Sequence, residues 1–232
     1  MKTNTILLLF FFVGLVIQAE DKQATENNKT TATLLKKQLQ LPKLLKNGDA
    51  QLGKFTLHRK SMKLTFPAKL KMTQGPLEVV ISTPSGRTHE ALLVTDASPM
   101  QFQTMLYLMG LHNGNRSHGE DLPQGSLIDI NIEWKDDKEK LHIEPIENFI
   151  LDMRTDKISK QIGWVFVGSS FRGGAHQAEL DGNLVVNFSL PETVVDIPDI
   201  SGGDDTIYVA NRLRKEPKVG TKVKVIVQLR KN

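Results

Sequence analysis

Apolar residues alternate with polar ones along most of the chain beyond residue 50, and this period of two limits the fold more than any other feature. Successive side chains of a β-strand point to opposite faces of a sheet, so an alternating segment predicts a strand with one buried face. Together the alternating segments predict about nine strands. They include residues 55–57, 62–66, 77–82, 127–134, 141–143, 163–170, 183–189, 206–210 and 222–229.

Two segments change to helical spacing. Ser98 can cap a helix that begins at Pro99, and Gly110 can end it in the left-handed conformation. The residues between them are too apolar for an exposed helix, which predicts packing against a sheet. A second helix is predicted to begin near Pro145, because apolar residues follow at i, i+3, i+4 and i+7: Ile146, Phe149, Ile150 and Met153.

Long meandering strands, two helices and short connections predict an α+β fold. We expect a mainly antiparallel sheet or sheets of about nine strands, with the two helices packed on one face. A β-sandwich with helical insertions is the alternative.

The amino-terminal segment differs in composition from the rest. Residues 1–19 combine Lys2, an apolar run over 6–17 and the small residue Ala19, which predicts a signal peptide. Residues 20–47 are polar and predict a flexible tether, and residues 48–232 predict a single globular domain. The protein is therefore predicted to be exported to the periplasm or secreted, with no transmembrane segment after signal removal.

The chain contains no cysteine, which rules out disulfides, thiolate metal ligands and iron–sulfur clusters. It also lacks glycine-rich phosphate loops and the glycine pattern of dinucleotide sites. The sequence therefore predicts no cofactor, no metal site and no catalytic residue.

Positive charge is concentrated at the carboxyl end, where residues 212–232 carry eight Lys or Arg and one acid. In residues 222–229 the valines share one strand face, while Lys222, Lys224 and Gln228 share the other. This pattern predicts a half-buried strand at a sheet edge, where lysines discourage pairing with other chains. Nucleic acid is not predicted as a partner.

Two turn signals predict hairpins. Residues 83–86, Thr-Pro-Ser-Gly, fit a type I turn followed by a bulge, which would pair the strand 77–82 with the strand that follows it. In that register Ile81 pairs with His89. Asp181-Gly182 predicts a second hairpin turn before the strand 183–189.

The first hairpin supplies the candidate site, Arg87, His89 and Glu90. Its register turns His89 and Glu90 to opposite faces of the sheet, so they are not expected to act as an acid–base pair. His89 falls on an apolar face and is predicted to be buried. Glu78 shares a face with Glu90, and such carboxylates could hold a cation or share a proton, although exposure or a salt bridge to Arg87 is the simpler interpretation.

Four segments resemble the YdjY domain family over roughly residues 50–230: GRTHEALLVTDASP, GWVFVGSSF, DGNLVVNFS and YVANRLRKEPKVGTKVKV. The resemblance implies an exported bacterial protein of unassigned function with one domain. If the family has a shared site, the matching positions here are His89, Glu90, Trp164, Gly168 and Ser169.

The sequence therefore favours a non-catalytic binding or interaction module of the cell envelope. Its partner would be an envelope protein or another envelope component, bound through a sheet edge or the face formed by residues 164–169. Two alternatives stay open. One is a hydrolase or redox accessory subunit that uses His89 or Glu90, and the other is a metal-binding protein.

Overall fold

The computed structural model describes residues 41–114, 124–190 and 192–231. The predicted signal peptide lies outside the described residues, as does the predicted tether up to residue 40. Secondary structure is mainly β, with 40% strand and 13% helix, so helices contribute less than the α+β prediction implies.

The described residues form seventeen strands, many of them short. The strands are β1 (Lys43–Leu44), β2 (Ala50–Leu52), β3 (Phe55–His58), β4 (Lys63–Leu70), β5 (Val79–Ser82), β6 (Ala91–Val94), β7 (Leu127–Lys135), β8 (Leu141–Pro145), β9 (Ile150–Asp152), β10 (Lys157–Ile158), β11 (Trp164–Phe166), β12 (Phe171–Arg172), β13 (Ala175–His176), β14 (Asn183–Val186), β15 (Val195–Asp196), β16 (Tyr208–Ala210) and β17 (Lys222–Leu229). The α-helices are α1 (Pro99–Leu108) and α2 (Gln177–Asp181), and 3-10 helices cover Thr88–Glu90, Ile146–Phe149 and Ile200–Gly203.

Eight strands close into a mixed barrel. Around the ring the order is β4, β17, β7, β11, β15, β14, β5 and β6, and β6 pairs with β4 to close it. The pairs β5–β6 and β14–β15 are parallel, and the other six are antiparallel. The predicted sheet with both helices on one face and the alternative sandwich are both wrong, because the pairing of β6 with β4 closes the sheet into a ring. Local sequence patterns do not predict which strands form such a closing pair.

The additional strands lie outside the ring. β1, β2 and β3 extend the sheet from β4, and β8 pairs with β7. β9, β10 and β16 form a small separate sheet, and β12 pairs with β13.

The barrel interior and α1 share one apolar core. Phe102 of α1 lies with its ring centroid 5.6 Å from those of Phe55 and Phe66. The prediction of this helix is confirmed, because the Ser98 side chain accepts from the Gln101 N–H and Pro99 is its first residue. Gly110 follows its end at φ +79°.

The second predicted helix is wrong. Residues Ile146–Phe149 form one turn of 3-10 helix, and Ile150 begins strand β9. Ile146, Phe149 and Ile150 are all buried, so their spacing reflects burial of a tight turn and a strand rather than of a helix face. By contrast, no sequence pattern predicted the helix α2.

The predicted first hairpin is also wrong. The turn at residues 83–86 exists, with the Gly86 N–H donating to the Thr83 C=O at 3.1 Å. The chain then returns along the 3-10 helix Thr88–Glu90, and β6 pairs with β5 in parallel, with Val79 opposite Ala91 and Ile81 opposite Leu93. All four residues of β5 are buried, as is usual for a strand covered on both faces.

Two further predictions need correction. Asp181-Gly182 ends α2, with Gly182 as its left-handed cap at φ +72°, because helix caps and hairpin turns both select glycine with positive φ. β17 has the predicted alternation of buried and exposed residues, but it lies between β4 and β7 rather than at an edge.

Candidate functional site

The segment that joins β5 to β6 brings Arg87 and two carboxyl groups together. The Arg87 guanidinium donates to Glu78 Oε2 at 2.6 Å, and the carboxyl of Glu90 lies within hydrogen-bonding reach of Glu78. Burial raises the pKa of Glu78, and the charge of Glu90 raises it further, while Arg87 lowers it. The salt bridge between Glu78 and Arg87 is therefore present, with the carboxyl of Glu90 beside it.

His89 lies at the solvent side of this cluster. Its side chain is 75% exposed, and its Nε2 lies 3.5 Å from Glu90 Oε1. The predictions of a buried His89 and of side chains held on opposite faces are both wrong. Both residues belong to a 3-10 helix, in which neighbouring side chains are about 120° apart rather than the 180° of a strand.

Trp164 is a buried structural residue. It is 1% exposed, and its indole N–H donates to Glu147 Oε1 at 2.9 Å. Burial raises the pKa of Glu147 to about 7, against smaller opposing effects that include this hydrogen bond. Sequence reasoning missed Glu147, because the residue lies within the second predicted helix, which does not form.

Gly168 occupies a tight position after β11. Its φ is +73°, and its N–H donates to the Val194 C=O at 3.0 Å. A Cβ added to it would lie 2.9 Å from the side chain of Asn113. Glycine is therefore required here by backbone conformation and by close packing.

Ser169 joins both helices to the barrel. Its N–H donates to Gln103 Oε1 at 2.7 Å, and its C=O accepts from Gln103 Nε2 at 3.2 Å. Its Oγ accepts from the Ala178 N–H at 2.9 Å, in the first turn of α2. His176 contacts the same Gln103 Oε1 at 3.1 Å. The hydroxyl is thus committed to the fold, and the segment 164–169 is buried.

The structure does not bring the two groups of candidate residues together. Arg87, His89 and Glu90 lie between β5 and β6, whereas Trp164, Gly168 and Ser169 lie in β11 or just after it. In the barrel β15 and β14 separate β11 from β5.

Sequence reasoning missed a groove on the exposed face of the sheet. The groove has a volume of about 640 Å³ and crosses β4, β17 and β7, with the turn before β3 at one end. Lys54, Lys135, Lys222 and Lys224 line it, together with Thr65 and Pro67. The alternating lysines of β17 could have indicated this groove, but the same pattern also predicts protection of a sheet edge.

Sequence reasoning also missed the open sheet edge at β8. β8 pairs with β7 on one side, and no described strand pairs with its other side. Leu141 and Ile143 on this strand are 53% and 54% exposed.

Within residues 41–114, 124–190 and 192–231, no three His, Asp or Glu side chains converge as metal ligands do. Helices of the length and apolarity needed to cross a membrane are also absent from these residues.

The chain matches a known protein family. The family model of the YdjY domain covers residues 57–228. Neither the curated proteins nor the solved structures contain a match to the chain.

Proposed function

The chain belongs to the YdjY domain family, a family of unassigned function, and we propose that it is a non-catalytic binding module that takes up a strand of a partner polypeptide at the open edge of β8. The observation that carries this proposal is a strand edge with which no described strand pairs, and which bears two exposed apolar side chains.

Hydrogen-bond parity determines which backbone groups face the edge. The Asp136 N–H donates to the Lys140 C=O at 3.0 Å, so this is a hydrogen-bonded pair. Such pairs recur at every second residue of an antiparallel ladder, so His142 and Glu144 turn their amides towards β7. Leu141 and Ile143 then direct their N–H and C=O groups outward, where a partner strand can bond to them.

The side chains on this edge add an apolar contribution. Leu141 and Ile143 lie on the same face of β8, and each leaves about half of its surface in water. Burying a whole aliphatic side chain of this size contributes about 1.5–3 kcal/mol. A strand paired with β8 would cover the exposed part of both.

The other side of β8 is held firmly. The His142 ring stacks on Trp134 with centroids 5.1 Å apart and bonds to Asp136 at 2.8 Å. Glu144 accepts two hydrogen bonds from Arg214, at 2.8 and 2.9 Å. A strand ordered before binding loses less entropy on association, so these contacts favour capture of a partner.

We place this function outside the cytoplasm, in the periplasm or as a secreted protein, with an envelope protein as the partner. The apolar run at residues 6–17 supports this location.

A photo-crosslinking amino acid at position 141 tests the proposal in cells that export the protein. We expect position 141 to capture a partner polypeptide that the same probe at Leu180, an apolar residue exposed on α2, does not capture. Ile143→Pro should abolish capture because it removes an outward N–H, whereas Ile143→Thr keeps the amide and should retain it. Capture that Ile143→Pro leaves intact, or that position 180 matches, contradicts strand addition.

A second candidate function, an enzyme that uses His89 with Glu90, is favoured by their 3.5 Å contact in a solvent-exposed position. A carboxylate that close can orient a histidine for proton transfer. For this candidate, His89→Ala should leave stability unchanged and abolish the cellular phenotype of the protein. A His89→Ala protein that restores the phenotype fully would eliminate it.

A further inference from the structure

A row of three lysines crosses the barrel sheet. Lys222 of β17 stands directly opposite Lys69 of β4. On the other side of β17, Lys224 is opposite Glu133, and Lys222 and Lys135 each lie two residues beyond this pair, at the ends of β17 and β7. Neighbouring strands are about 4.8 Å apart, so the three lysines are carried by adjacent strands of one exposed face.

This row costs stability in the free protein. Like charges directly opposite each other on neighbouring strands are destabilising. Lys135 pairs with Glu139, but neither Lys69 nor Lys222 has an acidic partner among the described residues. Since β17 lies in the middle of the sheet, protection of an edge does not explain its lysines.

The groove beside the row adds further donors. Lys54 lies at one end of it and also has no acidic partner in the described part of the chain, while Lys224 pairs with Glu133. Thr56 and Thr65 line the same groove, and the Thr65 hydroxyl is bonded to the His58 ring at 3.0 Å. Lys54 is in a turn. The other residues are on strands of the sheet that contains the barrel, and these strands hold them in fixed register.

We propose that this groove, which is lined by two lysines of the row, binds an anionic polysaccharide through its sulfate, phosphate or carboxylate groups. An anionic glycan repeats its charge along an extended chain, as the lysines repeat theirs across the strands. This surface is separate from the open edge of β8, except that Leu141 borders both.

The lining argues against single-stranded nucleic acid as the ligand. Single-stranded nucleic acid is usually held by bases stacked on aromatic side chains. The aromatic residues of this groove, Phe66 and Trp134, are only 2% and 3% exposed.

Binding to defined polymers tests the proposal with the full domain. Dextran sulfate and polygalacturonate should bind, neutral dextran should not, and added salt should weaken the binding. The double variant Lys69→Gln/Lys222→Gln should raise the Kd for both anionic glycans about tenfold, a loss of about 1.4 kcal/mol. Lys69→Arg/Lys222→Arg keeps the charges and should bind like the wild type.

A control with the same change in net charge separates a site from general attraction. Lys157→Gln/Lys160→Gln alters two exposed lysines near β10, away from the groove, and should change the Kd less than about twofold. Equal loss in both double variants overturns the proposal. So does tighter binding of oligothymidylate or of anionic lipid vesicles than of the glycans. Ile143→Pro should leave glycan binding intact, so failure here and failure of strand addition are distinguishable.

Discussion

The indole N–H of Trp164 donates to Glu147 Oε1 at 2.9 Å, and both side chains are almost fully buried. Burial raises the pKa of Glu147 to about 7, so this carboxyl holds a proton at mildly acidic pH that the unfolded chain has already released. The pair connects the strand β11 to the turn before β9.

The Glu147 carboxyl makes stability depend on pH. Its contribution is fully present below about pH 4.5, the ordinary value, and is lost as the pH rises through about 7. The corresponding loss is about 3 kcal/mol. Glu147→Gln keeps an acceptor for Trp164 without a charge, so urea unfolding should show it more stable than wild type at pH 8 and similar at pH 4.5. Glu139→Gln, at an exposed residue, is the control and should match the wild type at both. Equal stability of Glu147→Gln and wild type at pH 8 would show that ionisation of this carboxyl does not destabilise the protein.

His89 and His176 should respond in opposite ways to replacement by alanine. His89→Ala should change the free energy of unfolding by less than about 0.5 kcal/mol, because the side chain is exposed. His176 is 4% exposed, contacts Gln103 at 3.1 Å and caps α2 by accepting from the Glu179 N–H at 3.2 Å. His176→Ala should cost about 1–3 kcal/mol. Chemical denaturation measures both, and a large loss in His89→Ala would restore the view that His89 is buried.

Gly168 and Gly173 separate backbone conformation from packing. Both have positive φ, +73° and +58°, but only at Gly168 would a Cβ meet another side chain within 4 Å. Gly173→Ala should cost about 1 kcal/mol, from conformation alone. Gly168→Ala should cost about 2–3 kcal/mol, because Asn113 must also move. Thermal unfolding of the two variants would refute this if their losses were equal.

The lysine row should stabilise the free protein when it is interrupted. Lys222→Gln removes a charge directly opposite Lys69 and should raise the free energy of unfolding by about 0.2–1 kcal/mol at low salt. Lys224→Gln, two residues along the same strand, loses the ion pair with Glu133 and should give no gain. High salt should remove the gain of Lys222→Gln. A gain of equal size in both variants would mean that net charge, rather than this pairing, sets the effect.

Sequence patterns correctly predicted the features that depend on residues close together in the chain. Ser98, Pro99 and Gly110 define α1 by capping, and the alternation in β7 and β17 defines their buried faces. Closure of the barrel depends on β6 meeting β4, and no residue near either strand encodes that contact locally.

The candidate site was predicted in part. The turn at residues 83–86 carries the right residues, but a turn does not determine whether the next strand returns beside the first or crosses to run parallel with it. Because the hairpin was predicted wrongly, so were the burial of His89 and the separation of its side chain from Glu90. The groove was missed for a related reason, since β17 has the same pattern of exposed lysines at a centre as at an edge.

Amide hydrogen exchange along β8 tests the central proposal most directly. In the free protein the amides of Leu141 and Ile143 should exchange fast and those of His142 and Glu144 slowly, because only the latter face β7. In the complex with a crosslinked or purified partner, Leu141 and Ile143 should become slow as well. If those two amides are already protected in the free protein, or stay fast in the complex, β8 does not receive a partner strand.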